Sequence, residues 1–503
     1  MKAKNIVQIV LAGGLLITSS CKKDFLDVNV DPNSPTTASV DLVLPTAQVY
    51  TAYVFGDPYQ ILGGFWAQYW TQGPTANQFS NYDQYSINSG DFDRQWIDMY
   101  AGPLNDLRYI VEESQKTDNN NYAAIAKFMQ AYLFQYVTDM QGDVPFKEAL
   151  LGATNLTPKF DTQQEIYDGL ITLVDEGLAL LDENSDKHPG ADDLFYHGDM
   201  HLWMKFANTL KLKIYLRQAY VRPAVAEAGV KALYAANAEF LDFEETAAVQ
   251  FTTATFNQHP LFTFINSPNQ GEFNILASQT GLGYMLNLDD PRVDIFYRKA
   301  TLGAGAGTHV GIPQGKGRIL PNPATLDDRQ FSKPGPAVGG APDAGVAGGG
   351  EAPVILMSEA ESYFLQAEAV VRGWGTGDAA QLYSDAIELS FLYWGLSSSQ
   401  FNTYKAQSDV AFPAAGTTEQ KLRAIITQKW VSMCGTQNIE AWTEWRRTGY
   451  PDIFTVSETS IIGNKFPTRV LYPDSEVTAN PNTPAQKTVT DKMWWDVNTT
   501  GQN

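Results

Sequence analysis

FLQAEAVV (residues 364–371), the break GWGTG (373–377) and LYSDAIELS (382–390) read as two helices turned back on one another. Apolar and small residues recur at helical spacing on both sides, and three glycines interrupt them. Ala367, Ala369 and Ala386 stand where paired helices need close approach, so the spacing predicts a tetratricopeptide-like helix hairpin. No clean 34-residue repeat appears elsewhere, so any array is degenerate.

Working outward, helical periodicity continues. Between 121 and 139, Tyr122, Ile125, Met129, Tyr132, Leu133 and Tyr136 recur every three or four residues after an Asp118-Asn119-Asn120 cap region. Residues 162–182, 199–221, 355–372, 377–395 and 418–433 repeat the pattern. The expected fold class is all-α, with tetratricopeptide-like helix pairs forming one body that carries long irregular loops. Residues 300–350 differ: Phe331 is the sole aromatic between Tyr297 and Tyr363, and KPGPAVGGAPDAGVAGGG (333–350) is nearly pure Gly, Pro and Ala. That composition predicts a flexible surface loop, an excursion from one body rather than a linker, because similar helices flank it.

The N-terminus reads as an export signal. Lys2 and Lys4 precede an apolar run from Ile6 to Ile17, and Thr18-Ser19-Ser20 lead to Cys21. The run is too short to span a bilayer. Small residues before a cysteine look like a bacterial lipobox, so residues 1–20 are expected to be a lipoprotein signal peptide and Cys21 the lipid anchor of a body spanning 21–503. The other reading is an ordinary secretory signal with a chance cysteine. The remaining cysteine, Cys434, then has no disulfide partner and reads as a buried small hydrophobe. Net charge is −21, and −23 without the first twenty residues, a body that nucleic acid and anionic membrane surfaces repel. Neutral sugars or peptides remain as ligands.

Motifs for catalysis and cofactors fail on inspection. Gly303, Gly305 and Gly307 follow no strand pattern, and Gly315-Lys316 is followed by Gly317 where a phosphate loop needs Ser or Thr. Asp27, Asn29, Asp31 and Asn33 alternate like a calcium loop, yet Pro32 and Ala38 occupy the positions that need Gly and Glu. His197 and His201 are four apart but lack a zincin Glu and a nearby third ligand. No G-x-S-x-G elbow is present. No catalytic residue, metal ligand or cofactor is expected.

The strongest positive signal is aromatic. Residues 50–100 hold fourteen Phe, Trp and Tyr, about twice what the chain's 12% predicts. Past Trp70 the run TQGPTANQFSNYDQYSINSG is polar and turn-prone, yet it carries Phe79, Tyr82 and Tyr85. Flat rings beside Asn and Gln amides suit sugar faces or peptide side chains, so Trp70, Phe79, Tyr82 and Tyr85 are the expected ligand contacts. Core packing is the competing reading for each ring.

Several segments, in order along the chain, resemble the SusD/RagB outer-membrane lipoproteins, in particular the SusD-like branch. They are CKKDFLDVNVDPN (21–33), TDMQGDVPFKEAL (138–150), WMKFANTLKLKIYLR (203–217), SEAESYFLQAEAVVRGW (358–374), ITQKWVSMCGTQNIEAWTEWRRTGYP (426–451) and FPTRVLYPDSEVTAN (466–480). The resemblance implies a lipid-anchored, surface-exposed outer-membrane protein of a Bacteroidota-type bacterium. It implies capture of oligosaccharide or oligopeptide for a SusC-like TonB-dependent transporter, without catalysis, cofactor or nucleic acid. Lys22-Lys23-Asp24 matches the family's surface-export stretch only in part. Ligand residues do not carry over. Trp442, Arg446, Arg447, Tyr450, Trp494 and Trp495 read as scaffold, with the two arginines answering carboxylates or carbonyls. A surface glycosidase or peptidase, and a helical scaffold for protein partners, are the rival readings.

Overall fold

Helix α1 (Val40–Gly56) is the first helix of the described residues and α2 (Pro58–Trp66) follows at once, with Pro58 at its first turn, where a missing N–H costs nothing. This computed structural model describes residues 38–267, 271–342 and 348–497; Cys21, its lipobox and the calcium-like run lie outside the described residues. After strand β1 (Trp70–Gln72) come α3 (Asn105–Thr117), α4 (Asn120–Gln141), α5 (Gln163–Leu180), α6 (Met200–Arg217) and α7 (Pro223–Ala235). Next are β2 (Ala247–Val249), α8 (Pro260–Ile265), β3 (Ile275–Ala277), α9 (Gln279–Asn287), β4 (Tyr297–Arg298), β5 (Lys333–Pro334) and β6 (Val354–Met357). The last long helices are α10 (Glu359–Val371), α11 (Ala379–Tyr393), α12 (Ser398–Lys405), α13 (Thr418–Ser432) and α14 (Asn438–Thr448). The fold is all-α, as expected; its strands form two-stranded antiparallel pieces, β1–β3, β2–β6 and β4–β5.

Helix pairs carry the architecture. Helices α10 and α11 form the hairpin read from residues 364–390, capped by the Ser358 and Asp378 side chains, with Ala367, Ala369 and Ala386 all buried. The pair α4–α5 is packed as closely. A Cβ at Gly177 of α5 would sit 2.4 Å from the Phe128 ring of α4, so only glycine allows that approach. Thr162 and Glu165 start α5 with reciprocal side-chain-to-backbone bonds, while α4 is buried nearly all round and forms the centre of the body.

Helices α6, α10, α13 and α14 enclose a buried ionic network. The Arg217 guanidinium meets Glu440 at 2.7 Å and also pairs with Glu444, and Lys213 lies 3.1 Å from both Glu361 and Glu440. Lys429 reaches Glu444 at 3.2 Å, and Arg447 bridges Glu368 and Glu444 at 2.7 Å each. These cations hold Glu444, Glu440 and Glu368 below the usual carboxylate range against the upward push of burial. Arg446 donates instead to the carbonyls of Asp139 and Thr468 and lies 3.6 Å over the Trp442 ring.

Residues 300–342 run as an irregular, largely unburied segment that is nonetheless anchored to the body at several points. They contain no α-helix, but Ile312, Gln314 and Val338 are buried, and β5 pairs with β4. Gln60 Nε2 donates to the Val338 carbonyl at 3.1 Å, and Gly435 leaves room for the Val338 side chain. A segment poor in large apolar residues is held here by backbone and amide bonds to the body rather than by a core of its own.

Candidate functional site

Where the helical body ends, β1 and β3 pair with Trp70 opposite Ala277 and Gln72 opposite Ile275, and the loop 73–79 leaves from this ladder. Gly73 lies so close to the Phe273 carbonyl that a Cβ would meet it at 1.9 Å, which brings the loop onto the turn 272–274. Asn274 ties the two together. Its carbonyl accepts from Gly73 N at 3.3 Å, its Oδ1 accepts from Gln72 Nε2 at 3.3 Å, and its Nδ2 donates to Gln78 Oε1 at 3.2 Å. Gln72 Oε1 accepts from Phe79 N at 2.7 Å and closes the loop.

Beneath the loop sits Asp83, fully enclosed. It accepts from Thr71 Oγ1, Gln72 N and Gln314 Nε2, each at 2.8 Å, and no cation is paired with it among the described residues. Burial pushes its carboxyl up to about 7 although those three donors pull it down. Gln314 also donates to the Trp70 carbonyl, so a residue of the Gly-rich segment fixes the strand.

The four rings expected to touch ligand face inward, which corrects that expectation. Trp70 is 0% exposed, Tyr85 3%, Tyr82 8% and Phe79 9%. Phe79 stacks on Tyr82 at 5.6 Å between centroids and packs against Phe65 and Phe264, while Tyr82 also meets the Trp66 ring edge-on. The physical reason lies in the polar residues between them. Asp83 accepts from Thr71, Gln72 N and Gln314, and Gln72 Oε1 accepts from Phe79 N, so a polar loop folds down and carries its rings into the core.

The groups left on the surface form a rim. Thr75, Asn77 and Gln78 are exposed on the loop, Phe273 is 38% exposed on the neighbouring turn, and Arg318 is held beside it by donating to the Pro74 carbonyl at 3.0 Å. The turn itself is anchored through Glu272, which accepts from Lys333 at 2.6 Å and from Arg298 at 2.5 Å. An aromatic face beside exposed amides and a guanidinium can stack on and hydrogen-bond a neutral polar ligand. The sequence carried no signal for Phe273, because its partners on the loop lie some two hundred residues away.

Rival chemistries find little here. His197 precedes α6 and is set in a left-handed conformation, so it does not share a helical face with His201, which contacts Glu183 and Glu239. Among the described residues no group of three or more His, Cys, Asp or Glu could hold a metal ion. Asp294, His309 and Ser332 do adjoin, with His309 Nε2 2.8 Å from Asp294 and Nδ1 3.4 Å from the Ser332 hydroxyl. Ser332 is fully buried and its hydroxyl accepts from Val310 N, so this set braces the segment and offers no open nucleophile. Cys434 is buried, and burial pushes its thiol far up, away from thiolate character. No described helix is long and apolar enough to cross a membrane.

Comparison with known proteins shows what the whole chain is similar to. A SusD-like family described as "Starch-binding associating with outer membrane" matches residues 32–473. A chitin-binding protein is 26% identical, with 92% of this chain and 100% of that one aligned at a TM-score of 0.76. A chitin-binding SusD homolog from Flavobacterium johnsoniae is 24% identical, with 90% and 99% covered at 0.74. A SusD homolog from Bacteroides uniformis matches with the same identity, coverage and TM-score. No curated relative matches the chain by sequence.

Proposed function

The chain belongs to the SusD-like family of outer-membrane-associated proteins, and from that membership we propose that it is a non-catalytic glycan-binding subunit of a nutrient importer. The observation that carries the reading is the match over residues 32–473, which takes in both the helical body and the loop face. In this proposal a lipid on Cys21 tethers the protein to the outer membrane, and a SusC-like TonB-dependent transporter receives what it captures. The rim of Asn77, Gln78, Phe273 and Arg318 is the contact surface. Trp70, Phe79, Tyr82 and Tyr85 are its buried support.

Chito-oligosaccharide is the first ligand to test, since a protein alike over its whole length is a chitin binder. Affinity is expected to be modest, because the oligomer must leave again. Calorimetric titration with chito-, malto- and cello-oligosaccharides and with oligopeptides should give saturable binding to a glycan, weakened at least about tenfold by Phe273→Ala. Binding to peptides alone, or turnover of any of these oligomers, would overturn the reading. Pulling on a C-terminal tag from gently solubilised outer membrane should bring a TonB-dependent barrel in near-equal amount.

A further inference from the structure

On the body, away from the rim, a cavity of about 430 Å³ opens between the turn 243–246, β2, the start of α10 and the end of α11. Phe243, Glu244, Thr246, Glu359, Leu392 and Tyr393 line it. Its volume is within the range of small-ligand pockets. Glu359 is only 2% exposed, yet no cation stands within ion-pair distance of its carboxylate among the described residues. Its Oε2 accepts from Glu245 N at 3.3 Å, and its own N–H donates to Thr246 Oγ1 at 3.2 Å.

The nearest charges make the imbalance worse. Lys205 is committed to Glu245 at 2.6 Å, and Asp242 accepts from Tyr363 at 2.5 Å. Glu244 is exposed and has no ion-pair partner among the described residues. Burial, with the charges of Glu244 and Asp242 behind it, pushes the Glu359 carboxyl up to about 7 against the backbone N–H groups of Glu244 and Glu245. The buried glutamates of the ionic network, by contrast, each have a cation against them. Two rings, Phe243 at 51% exposure and Tyr393, stand on the walls, and Leu392 is exposed beside them.

We propose that this cavity is a binding site for an alkylammonium or alkylguanidinium group, with Glu359 and Glu244 supplying the charge and Phe243 and Tyr393 the walls. A buried carboxylate without a cation gains most from one that enters without water, and aromatic faces attract the same group. The butyl stem of such a ligand would lie along Leu392 and Phe243. The site is independent of the glycan reading, because it shares no residue with the rim.

The test uses n-butylammonium, n-butylguanidinium and the capped peptide acetyl-Gly-Lys-Gly-amide, with n-butanol and the norleucine peptide as neutral controls. Binding is read from the methyl resonances of Leu392 in the full mature chain. The cations should shift Leu392 saturably and the controls should not. Affinity should rise about tenfold between pH 5.5 and 8 as Glu359 ionises. Glu359→Gln keeps an acceptor for Glu245 N–H and should weaken binding about tenfold while removing the pH dependence. Should that variant unfold, Glu244→Gln, at the exposed mouth, should weaken binding about threefold. Equal affinity for butylammonium and the lysine peptide would support a site for free amines, and a clearly tighter peptide a site for a side chain of another polypeptide. Absence of saturable shifts, equal shifts with butanol, or unchanged affinity in the charge-removing variants would overturn the proposal.

Discussion

Two regions of the molecule bury polar groups in opposite ways. At the centre of the helical body, Lys213, Arg217, Lys429 and Arg447 face Glu361, Glu368, Glu440 and Glu444, and charge answers charge. Under the loop face, a single carboxyl, Asp83, is met by the neutral donors Thr71 Oγ1, Gln72 N and Gln314 Nε2, while the amides of Gln72, Gln78 and Asn274 bond one another in the adjoining loop. The consequence is opposite titration. Cations hold Glu444 and Glu440 low, whereas Asp83, with donors but no cation, is pushed up to about 7. The centre is built for helices that must stay together at fixed register. The loop is positioned by neutral bonds, and charge enters only at its edge, through Arg318 and the ion pairs of Glu272.

The largest expected effect tests whether the rings of the face are support or contact. Phe79→Ala, Tyr82→Ala and Tyr85→Ala combined should lower stability by more than about 5 kcal/mol, since a single buried aromatic truncation costs about 3–5 kcal/mol. Chemical denaturation followed by circular dichroism measures it. A melting transition that stays in place would return these rings to the surface and break the comparison.

That outcome bears on what could be read from residues alone. The helix hairpin at 364–390 was legible because its information is local: periodicity, small residues and a glycine break lie within thirty residues. The helices over 120–141, 163–180, 200–217 and 418–432 were legible for the same reason, whereas those at 40–66, 105–117, 223–235 and 438–448 were not read. The facing of Phe79, Tyr82 and Tyr85 was not, because it depends on Gln314 reaching Asp83 across 231 residues and on Asn274 reaching Gln78 across 196. Composition shows that rings and amides share a loop, and it does not show which of them the loop turns inward. The anchoring of the segment 300–342 was not legible on the same grounds, since Val338 joins the main core and its carbonyl accepts from Gln60, 278 residues away. Phe273 had no local signal at all.

The next effect breaks the other region. Glu444→Ala removes the carboxylate shared by Arg217, Lys429 and Arg447, leaving buried cations short of an anion. A loss of about 3–5 kcal/mol is expected, read as a lower denaturant midpoint. Glu444→Gln should recover only part of it, because the amide returns an acceptor without the charge.

The pH dependence sharpens the contrast. Asp83 has a folded value of about 7 against an ordinary 3.8, so the folded state holds the extra proton between them. Its contribution to stability is therefore full below about pH 4 and is lost as pH rises through 7, at up to about 1.4 kcal/mol per pH unit. Glu444 and Glu440 lie below their ordinary 4.5, so their contribution is present above that value and is lost as pH falls under it. Denaturation midpoints taken across this range should show both arms. In Asp83→Asn the decline from pH 4 to 7 should become shallower by the share of Asp83, with Glu359 and Asp57, both pushed up to about 7, keeping the rest, while the acid arm remains.

The smallest effect on stability belongs to the rim, where binding is expected to reside. Asn77 is exposed and its side chain makes no hydrogen bond with the described residues, so Asn77→Ala should move stability by no more than about 0.5 kcal/mol. Phe273 gives up only a partly exposed ring, and the contact that orders the loop is its backbone carbonyl beside Gly73, which Phe273→Ala retains. If both variants keep the wild-type denaturation curve and lose glycan binding, then the loop face separates into a floor that sets stability and a rim that sets capture. If Phe273→Ala costs as much stability as Phe79→Ala, the distinction fails, because the turn ring would then belong to the core. Equal glycan affinity in an otherwise undisturbed Asn77→Ala/Phe273→Ala protein would move the contact surface off this rim while leaving the floor as described.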